Sequence, residues 1–106
     1  YNMVGNNAYI KGNMMTDVHN INGTSNRKAP TGYDDWIDFW RKKTGREGKK
    51  CKNNDCSNIA KVGGHVQKHG SQVNKDWYIT ALCYKCNNKP DGEVFSVDSK
   101  NLVPIN

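Results

Sequence analysis

Long apolar runs are missing from this 106-residue chain, and none approaches the roughly 18 residues that a membrane-spanning helix needs. No signal-type apolar stretch opens the N-terminus. The expectation is a soluble protein. The chain starts at Tyr1 rather than methionine, which is expected where an upstream segment has been removed, so export stays open and the compartment unknown. Apolar residues are scarce throughout, at 35 % of the total. That supply suits the single core of one small domain, which would gain from a covalent or metal staple. Acidic residues are outnumbered, ten against sixteen lysines and arginines, giving a formal charge of +6 and a pI near 9.2. Such a balance favours polyanions, nucleic acid included, or serves as a solvated basic surface. There is no internal repeat.

Residues 1–32 have no helical period and carry seven asparagines and four glycines. Within them "AYIKG" and "DVHNIN" read as short strands separated by turn formers. So few apolar groups cannot offset about 1–2 kcal/mol of backbone ordering per residue. This N-terminal arm therefore needs a surface, which is that of its own domain, a neighbouring copy or another chain. Asn22-Gly23-Thr24 matches the N-x-[ST] acceptor pattern and makes Asn22 a candidate glycosylation site, a feature that leans toward export.

The segment "PTGYDDWIDFWRKKTG" predicts a helix. Tyr33, Trp36, Ile37, Trp40 and Thr44 recur at spacings of three and four, so the aromatics form one face for core packing. Thr31 and Asp34 resemble a capping pair, and Gly45 supplies the stop. From Arg41 to Lys52 there are seven basic residues against the single Glu47. Arg41, Lys42, Lys43, Arg46, Lys49 and Lys50 are the nucleic-acid candidates of the chain. No aromatic is interleaved among them, which equally suits a solvated linker. Further on, "IAKVGGHV" and "WYITALC" read as the strands of a hairpin, "EVFSVD" as a further short strand, and "NLVPI" as an extended tail whose Pro104 forbids a helix.

Cys51 and Cys56 form a C-x4-C pair, and after 26 residues Cys83 and Cys86 form C-x2-C. Two close pairs separated by a hairpin's length of chain is a structural zinc pattern, in which four thiolates close a tetrahedral shell and metal binding becomes part of folding. Two disulfides are the competing account, with three possible connectivities in an oxidising compartment.

In the residues "CKNNDC", "VGGHV" and "LCYKCNN", over roughly positions 51–90, the chain resembles the treble-clef zinc fingers, and among them the HNH (ββα-metal) nucleases. The resemblance implies a small α+β fold, an aromatic-faced N-terminal helix packed on a zinc-stabilised treble clef with a β-hairpin. With the Asn- and Gly-rich composition of residues 1–32, the expected division is an arm, 1–32, and a domain, 33–106, made of the helix and the HNH-like zinc finger. The resemblance also places His65 at the position of the general base and Asn87 near that of the last metal ligand. Two departures stand out: Gly64 replaces the acidic or histidine neighbour of the base, and Tyr78 occupies the position of an expected asparagine. Asp76 and His69 are the nearby substitutes for the missing ligands. His65 accordingly has three readings: general base, auxiliary metal ligand, or a strand-end histidine bonded to the backbone of the knuckle.

The function expected from this sequence is a non-enzymatic, zinc-stabilised structural or interaction protein that associates with neighbouring subunits or a partner through its arm. The alternatives are an HNH-type endonuclease using Mg²⁺, with His65 as base, and a zinc finger that binds nucleic acid without cutting it.

Overall fold

The computed structural model describes residues 14–24, 26–70 and 75–105. Five strands form one antiparallel sheet: β1 (Met15–Asn20), β2 (Val62–Lys68), β3 (Tyr78–Leu82), β4 (Phe95–Asp98) and β5 (Val103–Pro104), in the order β4-β1-β2-β3-β5. Two helices accompany it, α1 (Trp36–Thr44) and the single turn α2 (Tyr84–Asn87), with a 3-10 turn at Ser99–Asn101. This is a small α+β fold, and α1 packs across β2 and β3.

The sheet has its expected hairpin, with His65 opposite Ile79 and Val62 opposite Leu82. "DVHNIN" contributes β1, which is not peripheral. It pairs with β2 on one side, Val18 opposite Lys68, and with β4 on the other, Thr16 opposite Val97. The middle of the arm is thus an interior strand of the same sheet, while "AYIKG" lies outside the described residues. The expected tail is extended at β5, where Pro104 pairs at the short outer edge opposite Tyr78, the position in a sheet where a missing N–H is tolerated.

Helix α1 starts later than the proposed Thr31–Asp34 pair. Asp35 is its N-cap and accepts from the Asp38 N–H at 2.9 Å, while the Asp38 carboxylate accepts from the Asp34 N–H at 3.0 Å. Two carboxylates therefore satisfy amides at the positive end of the helix. At the other end Gly45 has φ of 71°, and its N–H donates to Arg41 O at 2.9 Å, as expected of a glycine stop.

The core lies on the two faces of the sheet. On one, Ile37, Phe39 and Trp40 of α1 pack with Ala60, Ile79 and Ala81. Trp40 is fully buried and its indole N–H donates to Asn101 O at 2.9 Å, so the helix's largest apolar group also has its polar atom satisfied. On the other face Val18, Val66, Leu82, Phe95 and Val97 pack with three of the cysteines. The cysteine cluster is therefore continuous with the core.

Candidate metal centre

The two cysteine pairs converge on that second face. Cys51 and Cys56 flank a loop that bridges to the sheet through Asn53 opposite Val97, and Asn54 N–H donates to Ser96 O at 2.8 Å. Cys83 and Cys86 sit at the start of α2, where Cys83 is the N-cap and its Sγ accepts from the Cys86 N–H at 3.4 Å. A cysteine that caps its own helix has its sulfur fixed at the positive end of a turn.

All four Sγ atoms lie within 4.8 Å of one another, and none is in a disulfide. A tetrahedron with metal–sulfur bonds of about 2.3 Å has edges of about 3.8 Å. Cys56 Sγ and Cys83 Sγ are 3.8 Å apart. The donor set and its spacing therefore fit a four-thiolate metal site.

Amide donors surround the sulfurs. Asn53 Nδ2 donates to Cys86 Sγ at 3.3 Å, and Asn58 Nδ2 to Cys83 Sγ at 3.7 Å. Burial pushes the Cys51 thiol up to about 12 and raises Cys86 as well. At Cys83 burial acts in the same sense, but the Cys86 amide and the Asn58 side chain outweigh it and bring the thiol down to about 6. Four clustered thiolates repel one another, and a divalent cation among them would reverse that balance. Sequence reasoning found the four cysteines that converge and missed Asn53 and Asn58. Their place inside "CKNNDC" and just beyond it was the available signal.

A third asparagine had no signal at all. Asn20, at the end of β1, is buried, and its Nδ2 lies 2.8 Å from Cys86 O, 3.2 Å from Asn87 O and 3.1 Å from Lys89 O. One amide from the arm thus holds the carbonyls that end α2. Asn20 thus makes the contact with the backbone around Cys86 that the third reading gave to His65.

His65 itself is not at a strand end. It is the fourth of the seven residues of β2, only 6 % exposed, and its Nε2 has no hydrogen-bond partner among the described residues. Trp36 stacks edge-on at 4.8 Å between ring centroids and Trp77 at 6.1 Å. Arg27 lies over the Trp77 ring at 4.4 Å. Burial first, and the Arg27 charge second, lower the His65 pKa to about 4. His65 and Asn87 line one pocket of roughly 280 Å³, together with Arg27, Asp35, Trp36 and Lys61.

The proposed substitutes for nuclease ligands do not join them. His69 is engaged with His19, their Nδ1 atoms 3.1 Å apart. Asp76 lines a different pocket with Arg27, Trp77 and Ile105. Among the described residues the four cysteines are the only group of three or more histidine, cysteine or carboxylate ligands within reach of one ion.

The basic stretch is divided by the fold. Arg41 donates to Glu47 O at 2.6 Å, Lys42 pairs with Asp38 at 3.2 Å, and Lys49 with Glu47 at 3.6 Å. Lys43 lies over the Phe39 ring, while Arg46 donates to Lys100 O and Asn101 Oδ1. Lys50 is exposed beside Lys52, whose pKa is lowered by burial first and then by Arg46, Lys50 and Lys100. Positive charge therefore accumulates around Lys52. Asn22 is exposed on a bend next to Gly23, whose φ is 79°.

No helix among the described residues is long and apolar enough to cross a membrane. Comparison with protein-family models, with curated proteins and with solved structures gives no match for this chain.

Proposed function

We propose that this chain is a non-enzymatic structural module whose four cysteines hold a zinc ion. The observation that carries the reading is the cluster of four Sγ atoms within 4.8 Å, with a 3.8 Å edge between Cys56 and Cys83. Zinc is the cation that four thiolates in a closed tetrahedral shell suit best. Bound there, it would tie the loop 51–56 and helix α2 to the sheet, adding the staple that so small an apolar core lacks. The deciding experiment is native mass spectrometry of the purified chain. One zinc per chain supports the reading, and metal-free chains with two disulfide mass losses refute it.

In this reading the order of first cysteine pair, β2–β3 hairpin and second cysteine pair at α2 is that of a treble clef of HNH type that no longer works as a nuclease. A general base is most effective with a pKa near the working pH, whereas His65 is neutral down to about pH 4 and walled by two tryptophans. Association with a neighbouring subunit or partner belongs to the N-terminal end, where Met14 and Met15 are exposed. Deletion of residues 1–13 combined with Met14→Ser and Met15→Ser removes the exposed apolar end and keeps the backbone of β1. It should leave the zinc core folded and abolish assembly in light scattering, and an unchanged particle mass would count against that role.

One observation favours a second reading, an HNH-type endonuclease. His65 and Asn87 share a pocket with two cationic residues, Arg27 and Lys61. Mg²⁺-dependent DNA cleavage that disappears in His65→Ala would establish it. Duplex affinity that falls steeply with salt, without cleavage, would instead support a binding role for the cations around Lys52.

A further inference from the structure

His19 and His69 stand apart from the cysteine centre. Their rings meet through Nδ1 atoms at 3.1 Å, with centroids 5.2 Å apart and planes crossed at 87°. The sheet register brings them together. Val18 is opposite Lys68 and His19 opposite Gln67, and the His69 N–H donates to Asp17 O at 2.8 Å one step beyond β2. Strand alternation then projects His19 and His69 from the same face as a diagonal cross-strand pair. His69 is exposed and His19 half-buried, so solvent reaches the pair.

As a contact between neutral imidazoles this is one hydrogen bond, with one Nδ1 donating and the other accepting. At a solvated surface such a bond contributes little to stability. The same two atoms also meet the requirement for chelation. With metal–nitrogen bonds of about 2.0–2.1 Å, nitrogens 3.1 Å apart subtend roughly 95–100° at a shared metal. That angle lies between the square-planar and tetrahedral values. The ring torsion of histidine is soft, so modest rotations converge the two lone pairs.

We propose that His19 and His69 form a second metal site, a two-imidazole chelate for a late first-row divalent cation of the Ni²⁺, Cu²⁺ and Zn²⁺ class. Imidazole nitrogen suits these ions, whereas Mg²⁺ and Ca²⁺ favour oxygen. The nearest carboxylate on that face of β1, Asp17, accepts from Ser96 Oγ at 2.8 Å and is thereby held toward β4. Two protein ligands leave positions for water or an external ligand, in contrast to the closed shell of four thiolates. The site is independent of what the cysteines hold.

The test is calorimetric titration of the untagged, zinc-loaded chain with Ni²⁺ in a non-chelating buffer, with native mass spectrometry on the product. One Ni²⁺ should bind per chain while the zinc is retained. Loss even of an outer partner of a metal ligand commonly costs about tenfold in affinity, so His19→Gln and His69→Gln should each weaken binding by about tenfold or more. Both side chains reach solvent, and circular dichroism should show unchanged folds. The proposal is overturned if the parent chain takes no Ni²⁺, takes it only in exchange for zinc, or binds it equally well after both substitutions.

Discussion

Gly63 lies directly against the backbone of Trp36. A Cβ on Gly63 would stand 2.5 Å from the Trp36 carbonyl carbon and 2.7 Å from the Ile37 nitrogen. The first turn of α1 is therefore seated on β2 at a separation only glycine permits. The same approach sets Trp36 beside His65, so the packing of the helix and the burial of the histidine have one cause.

Gly63→Ala should accordingly be destabilising by about 1–3 kcal/mol, because the obstacle is backbone and cannot rotate away. Gly64→Ala is the informative comparison. Its Cβ would meet Leu82 Cδ1 at 2.6 Å and Asn87 Oδ1 at 2.8 Å, both ends of side chains that can move, so its loss should be smaller. Urea titrations of the two variants check the order, and a Gly63→Ala protein as stable as the parent would refute the account.

Asn20→Ala should cost about 1–3 kcal/mol, since it leaves the carbonyls of Cys86, Asn87 and Lys89 without their buried donor. Asn20→Asp should cost more, because it replaces the donor by a carboxylate facing three carbonyl oxygens. Both should lower the melting temperature and, in the zinc-bound form proposed above, loosen retention of the ion. If either variant melted like the parent, the link between β1 and the knuckle would carry no energy.

Legibility in the sequence followed the range of each signal. Periodicity and β-branched runs are local, so α1, the hairpin and β4 could be placed from "WIDFW", "WYITAL" and "EVFSVD". The cysteine spacing likewise disclosed the four residues that converge. The central place of β1 was not legible, because its partners lie more than forty residues away and its composition is that of a loose arm. Asn20 was hidden for the same reason, 66 residues from the carbonyl of Cys86. The glycines of "VGGHV" were read through a family pattern, while their immediate role is to admit α1, Leu82 and Asn87.

In the zinc-bound form proposed above, Cys51→Ser and Cys86→Ser should each release the ion and unfold much of residues 51–90, since metal affinity and folding are one equilibrium in such sites. Both sulfurs are buried within the second core, so the loss reaches the sheet. Zinc content by mass spectrometry and thermal melting should fall together. A serine variant that kept both its metal and its melting temperature would remove the staple from the argument.

Acid should act on this fold through His65 in a defined window. The imidazole has a reference value of 6.5 and is lowered in the fold to about 4, by burial and then by Arg27. Well above pH 6.5 it is neutral in both states and contributes no pH dependence. As pH falls below 6.5 the unfolded chain binds a proton that the folded chain refuses, so stability declines until about pH 4 and then levels off. The decline attributable to this one group should be about 1–3 kcal/mol. Protonation of cysteines holding the proposed zinc would also weaken the fold in acid, but that effect would be common to the parent and to His65→Gln. The difference between their urea midpoints at pH 7 and pH 4.5 therefore isolates the histidine. His65→Gln should be the less acid-sensitive protein, and parallel pH profiles would mean that the imidazole is protonated as readily inside the fold as outside it.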